Sequence, residues 1–123
     1  MTKKILIVDD EQNIVISLEF LMKREGYDVS IANDGEEAVT RIRSEQPDLV
    51  LLDVMMPKKS GFEVCQEIKS DPALKMVRIL MLTAKGRDTE VAKGLAMGAD
   101  AYMTKPFSTK ELVEKVRAML AER

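Results

Sequence analysis

Acidic side chains follow two short apolar segments of this sequence, and their chemistry suggests a site. Asp9, Asp10 and Glu11 come directly after Ile5–Val8, and Asp53 ends a second apolar segment. Carboxylate oxygens are the ligands that Mg²⁺ prefers, and a carboxylate can also attack phosphorus to give an aspartyl phosphate. These residues therefore indicate a site for a divalent cation together with a phosphoryl group.

Two residues of complementary chemistry follow two further apolar segments. Thr83 carries a hydroxyl that can donate a hydrogen bond to a phosphoryl oxygen, and Lys105 carries a compact positive charge. Because crowded carboxylates repel one another, a cation and an ammonium group together would offset their charge. Each residue alone could be a helix cap, a turn residue or a surface charge, but their shared position at strand ends favours one common site.

The elements that must position these residues alternate along the chain. Short segments rich in Ile, Leu and Val are typical of strands buried on both faces of a parallel sheet. They are Ile5–Val8, a weaker Tyr27–Ala32, Asp48–Leu52, Arg78–Leu82 and Ala101–Met103. An amphipathic segment with helical spacing follows each of them, and Ser108 with Glu111 indicates a capping box for the last. The pattern predicts an α/β fold, with ligands at the carboxyl ends of the strands.

Composition excludes several classes of function. The 123 residues are 46% hydrophobic and 33% charged, which predicts one domain over residues 1–123 with no further domain. A net charge of −2 argues against direct nucleic-acid binding, and no apolar run approaches the roughly 20 residues that span a membrane. One Cys excludes an intramolecular disulfide and suits the cytoplasm, and the absence of His excludes His-based catalysis.

Four motifs spread over the chain form a specific combination. They are Asp9-Asp10, Leu-Leu-Asp53-Val-Met-Met-Pro57-x-x-x-Gly61, Leu-Thr83-Ala84 and Gly-Ala-Asp-Ala-Tyr102-Met-Thr-Lys105-Pro106-Phe107. With these motifs the chain resembles, from end to end, the receiver domain of bacterial two-component response regulators. The resemblance implies a flavodoxin-like (βα)5 fold, with a five-stranded parallel sheet in the order 2-1-3-4-5 and helices on both faces.

The resemblance also implies roles for the acidic residues and the lysine. Asp53 is expected to be the phosphoryl acceptor. Mg²⁺ (or Mn²⁺) is expected to be bound by Asp10, by Asp53 and by the backbone carbonyl of Met55, with Asp9 acting through water. Lys105 is expected to pair with the phosphoryl group or, before phosphorylation, with Asp53.

Other matching positions are expected to act in switching and in signal lifetime. Thr83 and Tyr102 match the family's switch pair, in which the hydroxyl moves towards the phosphoryl oxygen and the ring fills the space it leaves. Pro106 matches a proline that follows a cis peptide bond. Met55 and Lys85, two residues beyond Asp53 and Thr83, are expected to influence how long the phosphoryl group persists.

The function implied by the resemblance is a phosphorylation-dependent signalling switch. The phosphoryl group would come from a sensor histidine kinase, a phosphotransfer protein or a small phosphodonor. A downstream effector would contact the face made by the fourth helix, fifth strand and fifth helix, and a homodimer that forms on phosphorylation is a further option. Such a domain is not an enzyme acting on other substrates, since it catalyses only its own phosphorylation and dephosphorylation.

Alternatives remain open from the sequence. The chain could be a receiver module of a longer DNA-binding regulator or hybrid kinase. It could instead be an aspartyl-nucleophile phosphatase, although haloacid-dehalogenase phosphatases carry Asp-x-Asp where this chain has Asp9-Asp10-Glu11. A flavodoxin would need a phosphate loop where these carboxylates stand. A phosphorylation-independent adaptor would not need the acidic set.

Overall fold

Five parallel strands form one sheet in a computed structural model that describes residues 2–56, 58–84, 98–105 and 107–121. The strands are β1 (Lys4–Val8), β2 (Asp28–Ala32), β3 (Leu49–Asp53), β4 (Arg78–Ala84) and β5 (Ala101–Lys105). Their spatial order is β2-β1-β3-β4-β5, and every adjacent pair is parallel. The expected strand order and the α/β class are both confirmed.

Among the described residues, helices follow β1, β2, β3 and β5. They are α1 (Gln12–Arg24), α2 (Gly35–Glu45), α3 (Gly61–Lys69) and a C-terminal helix (Thr109–Ala121), with a short 3-10 helix at Pro72–Leu74. These bounds confirm four of the five predicted helices. The other, expected around Val91 and Leu95, lies outside the described residues.

Alternate residues of the central strands face two separate apolar layers. Leu6 and Val8 of β1 pack in the layer beneath α2 and α3, whereas Ile5 and Ile7 pack in the layer beneath α1 and the C-terminal helix. All four of these side chains are fully buried. Because both faces of the sheet are covered, its strands read as continuous apolar segments, and their carboxyl ends are left to display polar groups.

Polar side chains fix the starts of three helices. Asp34 caps α2 by accepting a hydrogen bond from the backbone N–H of Glu37 (2.9 Å). Ser60 and Glu63 form a reciprocal capping box at α3, which the sequence analysis missed. Ser108 accepts from the backbone N–H of Glu111 (3.0 Å), which is one of the two bonds that the predicted capping box requires.

Helices long and apolar enough to cross a membrane do not occur in the described ranges.

The two faces of α1 should differ sharply in their tolerance to substitution. Leu18 is 2% exposed and Ile16, on the same helix, is 62% exposed. We expect Leu18→Ala to lower the free energy of unfolding by about 2–5 kcal/mol through loss of buried area and a cavity. Ile16→Ala should change it by less than about 0.5 kcal/mol. Urea unfolding followed by circular dichroism measures both, and equal losses would contradict this packing.

Candidate functional site

Three carboxylates meet at the carboxyl ends of two neighbouring strands. Asp9 and Asp10 follow β1, and Asp53 is the last residue of β3. Each of the three offers an oxygen, and these oxygens all lie within 4.8 Å of one another. The sequence analysis placed these residues at one edge of the sheet, and the parallel pairing of β1 with β3 brings them together there.

Lys105 is the last residue of β5. Its side chain extends past the carboxyl end of β4 and contacts this acidic group. Its Nζ lies 3.0 Å from Asp9 Oδ2 and 3.2 Å from Asp53 Oδ1. It also lies 3.8 Å from Glu11 Oε1. The lysine therefore bridges residues that are far apart in sequence, and its contacts with Asp9 and Glu11 add to the expected pairing with Asp53.

The three carboxylates differ in how they are held. Asp9 is fully buried, with one oxygen accepting from the backbone N–H of Glu11 (2.9 Å) and the other from Lys105. Asp53 is 7% exposed, and Asp10 is exposed to solvent. Asp10 and Asp53 are thus the carboxylates with the greater freedom to take a new ligand.

Burial and charge shift the titration of this group. Burial, assisted by the negative charge of Asp9, raises the pKa of Asp53 to about 6, although Lys105 opposes the shift. Burial also acts to lower the pKa of Lys105, but its hydrogen bond to Asp9 and the charge of Asp53 outweigh burial, so that this pKa lies above its usual value. At neutral pH the site is therefore charged and under electrostatic repulsion.

Thr83 brings a hydroxyl to the same edge of the sheet. Its side chain is 1% exposed, and its Oγ1 has no hydrogen-bond partner among the described residues. Tyr102 on the adjacent strand β5 is 44% exposed. A buried hydroxyl without a partner is costly, which fits a site that a ligand oxygen would complete.

A glycine supports the strand end that carries Asp53. An ideal Cβ at Gly61 would lie 2.3 Å from the carbonyl oxygen of Asp53, and the Gly61 N–H donates to the carbonyl of Val54 (2.8 Å). Met55 in the intervening loop is 62% exposed. The glycine of the sequence motif is therefore required for close approach of the backbone. Pro57, Lys85 and Pro106 of the predicted set lie outside the described residues.

Comparisons with known proteins agree with this fold. The model of the response regulator receiver domain family matches residues 5–117. The chain is 51% identical over 120 residues to the alkaline phosphatase synthesis transcriptional regulatory protein PhoP of Bacillus subtilis (strain 168), covering 98% of this chain and 49% of that protein.

Solved structures show the same similarity. A CheY-like response regulator receiver domain protein from Methanospirillum hungatei JF-1 superposes with a TM-score of 0.92 at 32% identity, over 99% of this chain and 96% of that one. Chemotaxis response regulator CheY4 of Vibrio cholerae gives a TM-score of 0.90 at 30% identity, over 97% and 99% of the two chains.

The chain belongs to the response regulator receiver domain family. It is a receiver domain of two-component, phosphorylation-dependent signalling, and it spans about half the length of the curated relative that it matches. Mg²⁺ binding is typical of this family, and the oxygen donors of Asp9, Asp10 and Asp53 fit such a cation.

Removing the Asp53 charge should stabilise the metal-free protein. Because the pKa of Asp53 is about 6 in the folded state and 3.8 ordinarily, its ionisation opposes folding increasingly from about pH 4 to pH 6, and fully above pH 6. We expect Asp53→Asn to raise Tm in EDTA at pH 7.5, and the gain to disappear near pH 4. Thermal unfolding across this range measures it.

Asp71→Asn is a control of opposite sign. The backbone N–H of Ala73, helped by Arg43, holds the pKa of Asp71 below its usual value. The ionised carboxylate therefore stabilises the folded protein above the pKa that Asp71 has in the unfolded chain, and this stabilisation is lost as the pH falls through the pKa that it has in the folded protein. Its replacement should lower Tm at pH 7.5. A gain in Tm for Asp71→Asn, or a loss for Asp53→Asn, would contradict these assignments.

The Thr83 hydroxyl should oppose stability. Thr83→Val removes a buried hydroxyl without a partner among the described residues and keeps a similar shape, so it should raise the free energy of unfolding by about 1 kcal/mol. The same change should slow phosphorylation by acetyl phosphate, since the hydroxyl that would donate a hydrogen bond to a phosphoryl oxygen is lost. Thr104→Val, at the exposed position paired with Thr83 on β5, should do neither. Urea unfolding and intact-mass kinetics measure the two effects.

Proposed function

We propose that this receiver domain accepts a phosphoryl group on Asp53, with Asp10 and Asp9 serving the metal and with Lys105 and Thr83 stabilising the transferred group. One observation supports the proposal above all. The Lys105 ammonium lies within 3.2 Å of both Asp9 and Asp53, at a place where three carboxylate oxygens lie within 4.8 Å of one another. Such a group of close carboxylates around one ammonium matches the needs of phosphoryl transfer.

The donor set favours a hard divalent cation, Mg²⁺ or Mn²⁺. Asp10 and Asp53 would bind it directly, together with the backbone carbonyl of Met55, while the enclosed Asp9 would act through water. When bound, the cation neutralises negative charge on the carboxylates and on the phosphoryl oxygens.

The reaction needs one nucleophile and a suitable donor. A carboxylate oxygen of Asp53 attacks phosphorus and forms a P–O bond, while the bond from phosphorus to the donor breaks. Acetyl phosphate releases acetate, and a phosphohistidine releases its imidazole. The resulting aspartyl phosphate is a covalent intermediate that water later hydrolyses, which restores the Asp53 carboxylate.

Lys105 and Thr83 supply the groups that would stabilise negative charge on the phosphoryl oxygens during transfer. The ammonium of Lys105 would turn from the Asp53 carboxylate to the phosphoryl oxygens, and the Thr83 hydroxyl would donate to them. Movement of Thr83 would leave space for the exposed ring of Tyr102. Phosphorylation would thus alter the face that includes β5 and the C-terminal helix.

The partners follow from this chemistry. The donor would be a sensor histidine kinase, a phosphotransfer protein or a small phosphodonor, and a downstream effector or a second copy of the domain would bind the altered face. Met55 and Lys85 would influence the rate of hydrolysis. The domain would catalyse its own phosphorylation and dephosphorylation, in the cytoplasm.

The relative from Bacillus subtilis supports a further step. Its name describes a transcriptional regulatory protein, and this chain matches 49% of its length. We propose that the domain works as the receiver of a longer DNA-binding regulator, since its own net charge of −2 does not favour contact with a phosphate backbone.

Acetyl phosphate provides a direct test. With Mg²⁺ we expect one phosphoryl adduct by intact mass, because a bound cation offsets the repulsion at Asp53. The adduct should be absent with EDTA and absent in Asp53→Asn.

Asp28→Asn is the matched control, because Asp28 is an exposed aspartate at the start of β2, away from the acidic group. It should be phosphorylated like the unaltered protein. An adduct that persists in Asp53→Asn would contradict the proposal, and turnover of a general phosphatase substrate by that variant would favour a hydrolase.

A further inference from the structure

Gly35, the first residue of α2, packs against the loop that follows Asp53. An ideal Cβ at Gly35 would lie 2.2 Å from the carbonyl oxygen of Lys59 and 2.4 Å from its Cβ, whereas ordinary contacts begin at 3.4 Å. Gly35 is not among the positive-φ glycines of the described residues. Its requirement is therefore for space, so that the Lys59 backbone can cross the start of α2.

Gly61 packs against the residues at which the same loop begins. Its ideal Cβ would lie 2.3 Å from the Asp53 carbonyl oxygen and 2.9 Å from the Val54 Cα. The described loop residues 54–56 and 58–60 are therefore held near Val54 by the strand that carries Asp53, and at Lys59 by the first turn of α2.

Ion pairs join the loop to the same turn. Lys58, with φ of 69° in the left-handed region, places its Nζ 3.7 Å from Asp34 and 3.9 Å from Glu36. Lys59 pairs with Glu67 of α3. Exposed pairs of this kind constrain a loop less than close packing does, so the packing at Gly35 is the stronger constraint on the loop and the ion pairs are a weaker second one.

We infer that Gly35 is a positioning residue for phosphorylation, because the first turn of α2 sets the path of the loop that carries the Met55 carbonyl and adjoins Asp53. The inference rests on the proposed function of Asp53. A methyl group at Gly35 would displace Lys59 by more than an ångström, and displacements of that size are large for phosphoryl transfer.

Gly35→Ala tests this inference through two measurements. In the metal-free protein, hydrogen exchange at the Gly61 amide, which donates to Val54, should become about tenfold faster. With acetyl phosphate, the Mg²⁺ concentration for half-maximal phosphorylation should rise by about tenfold. The exchange measurement needs neither metal nor phosphate.

Gly26→Ala is the control for general loss of stability. Gly26 has a φ of 91° with nothing within 4 Å of an added Cβ, so alanine there is strained without touching the loop. Both variants are compared well below their melting temperatures. Effects confined to Gly35→Ala support the inference, whereas equal effects in both variants, or none in Gly35→Ala, overturn it.

A second pair of variants covers the case in which Gly35→Ala does not fold. Lys58→Gly removes the two ion pairs and loosens the loop at a position where glycine is unstrained, and it should shift both measurements in the same direction by a smaller factor. Gln46→Gly, at the far end of α2 with φ of 47°, should shift neither. If Lys58→Gly and Gln46→Gly change the exchange rate and the Mg²⁺ requirement equally, the inference is overturned.

The outcomes separate this inference from the proposed function. Phosphorylation that persists in Asp53→Asn overturns the assignment of the acceptor. Normal phosphorylation on Asp53 together with matching behaviour of Gly35→Ala and Gly26→Ala overturns only the role of Gly35.

Discussion

Electrostatic repulsion among enclosed carboxylates is the constraint on which the site depends. Asp9 is fully buried and Asp53 nearly so, and their oxygens lie within 4.8 Å of each other and of Asp10. One ammonium, that of Lys105, contacts two of the three carboxylates. Among the residues that the structure describes, this single charge does not balance three, so the arrangement is short of positive charge and would favour binding of a cation.

Packing of the sheet allows the protein to hold this cluster of like charges in the folded state. Apolar layers on both faces bury the central strands, and this burial stabilises the fold against the cost of the charges at the strand ends. Parallel strands bring all their carboxyl ends to one edge, which is why residues distant in sequence can share a ligand there. The carboxylates are therefore carried by deeply buried strands.

Much of this arrangement was predictable from the residues. The apolar segments that precede Asp9, Asp53, Thr83 and Lys105 indicated strands, and their parallel order placed the polar residues at one edge. The strand order itself came from the family resemblance, because alternation of elements does not determine which strands are neighbours. The described residues agree with both.

Details that depend on three-dimensional spacing were not predictable. The contact of Lys105 with Asp9 depends on side-chain reach, which residue order does not reveal. The role of Gly35 was also missed, because a glycine after the Asp34 cap looks like an ordinary helix start until the neighbouring loop is placed. One feature of the sequence did point to Gly35. Glycine is a poor helix former, so its presence at the start of α2 suggests that space is needed there.

The origin of the site's residues in β1, β3 and β5 has a consequence for biosynthesis. A nascent chain that has emerged from the ribosome only as far as β4 contains all three carboxylates but lacks Lys105. Such a partial product lacks the ammonium that contacts Asp53 in the folded domain, and it also lacks the edge strand β5. On the proposed role of Asp53, a kinase would therefore meet a complete acceptor site only after translation has passed the last strand.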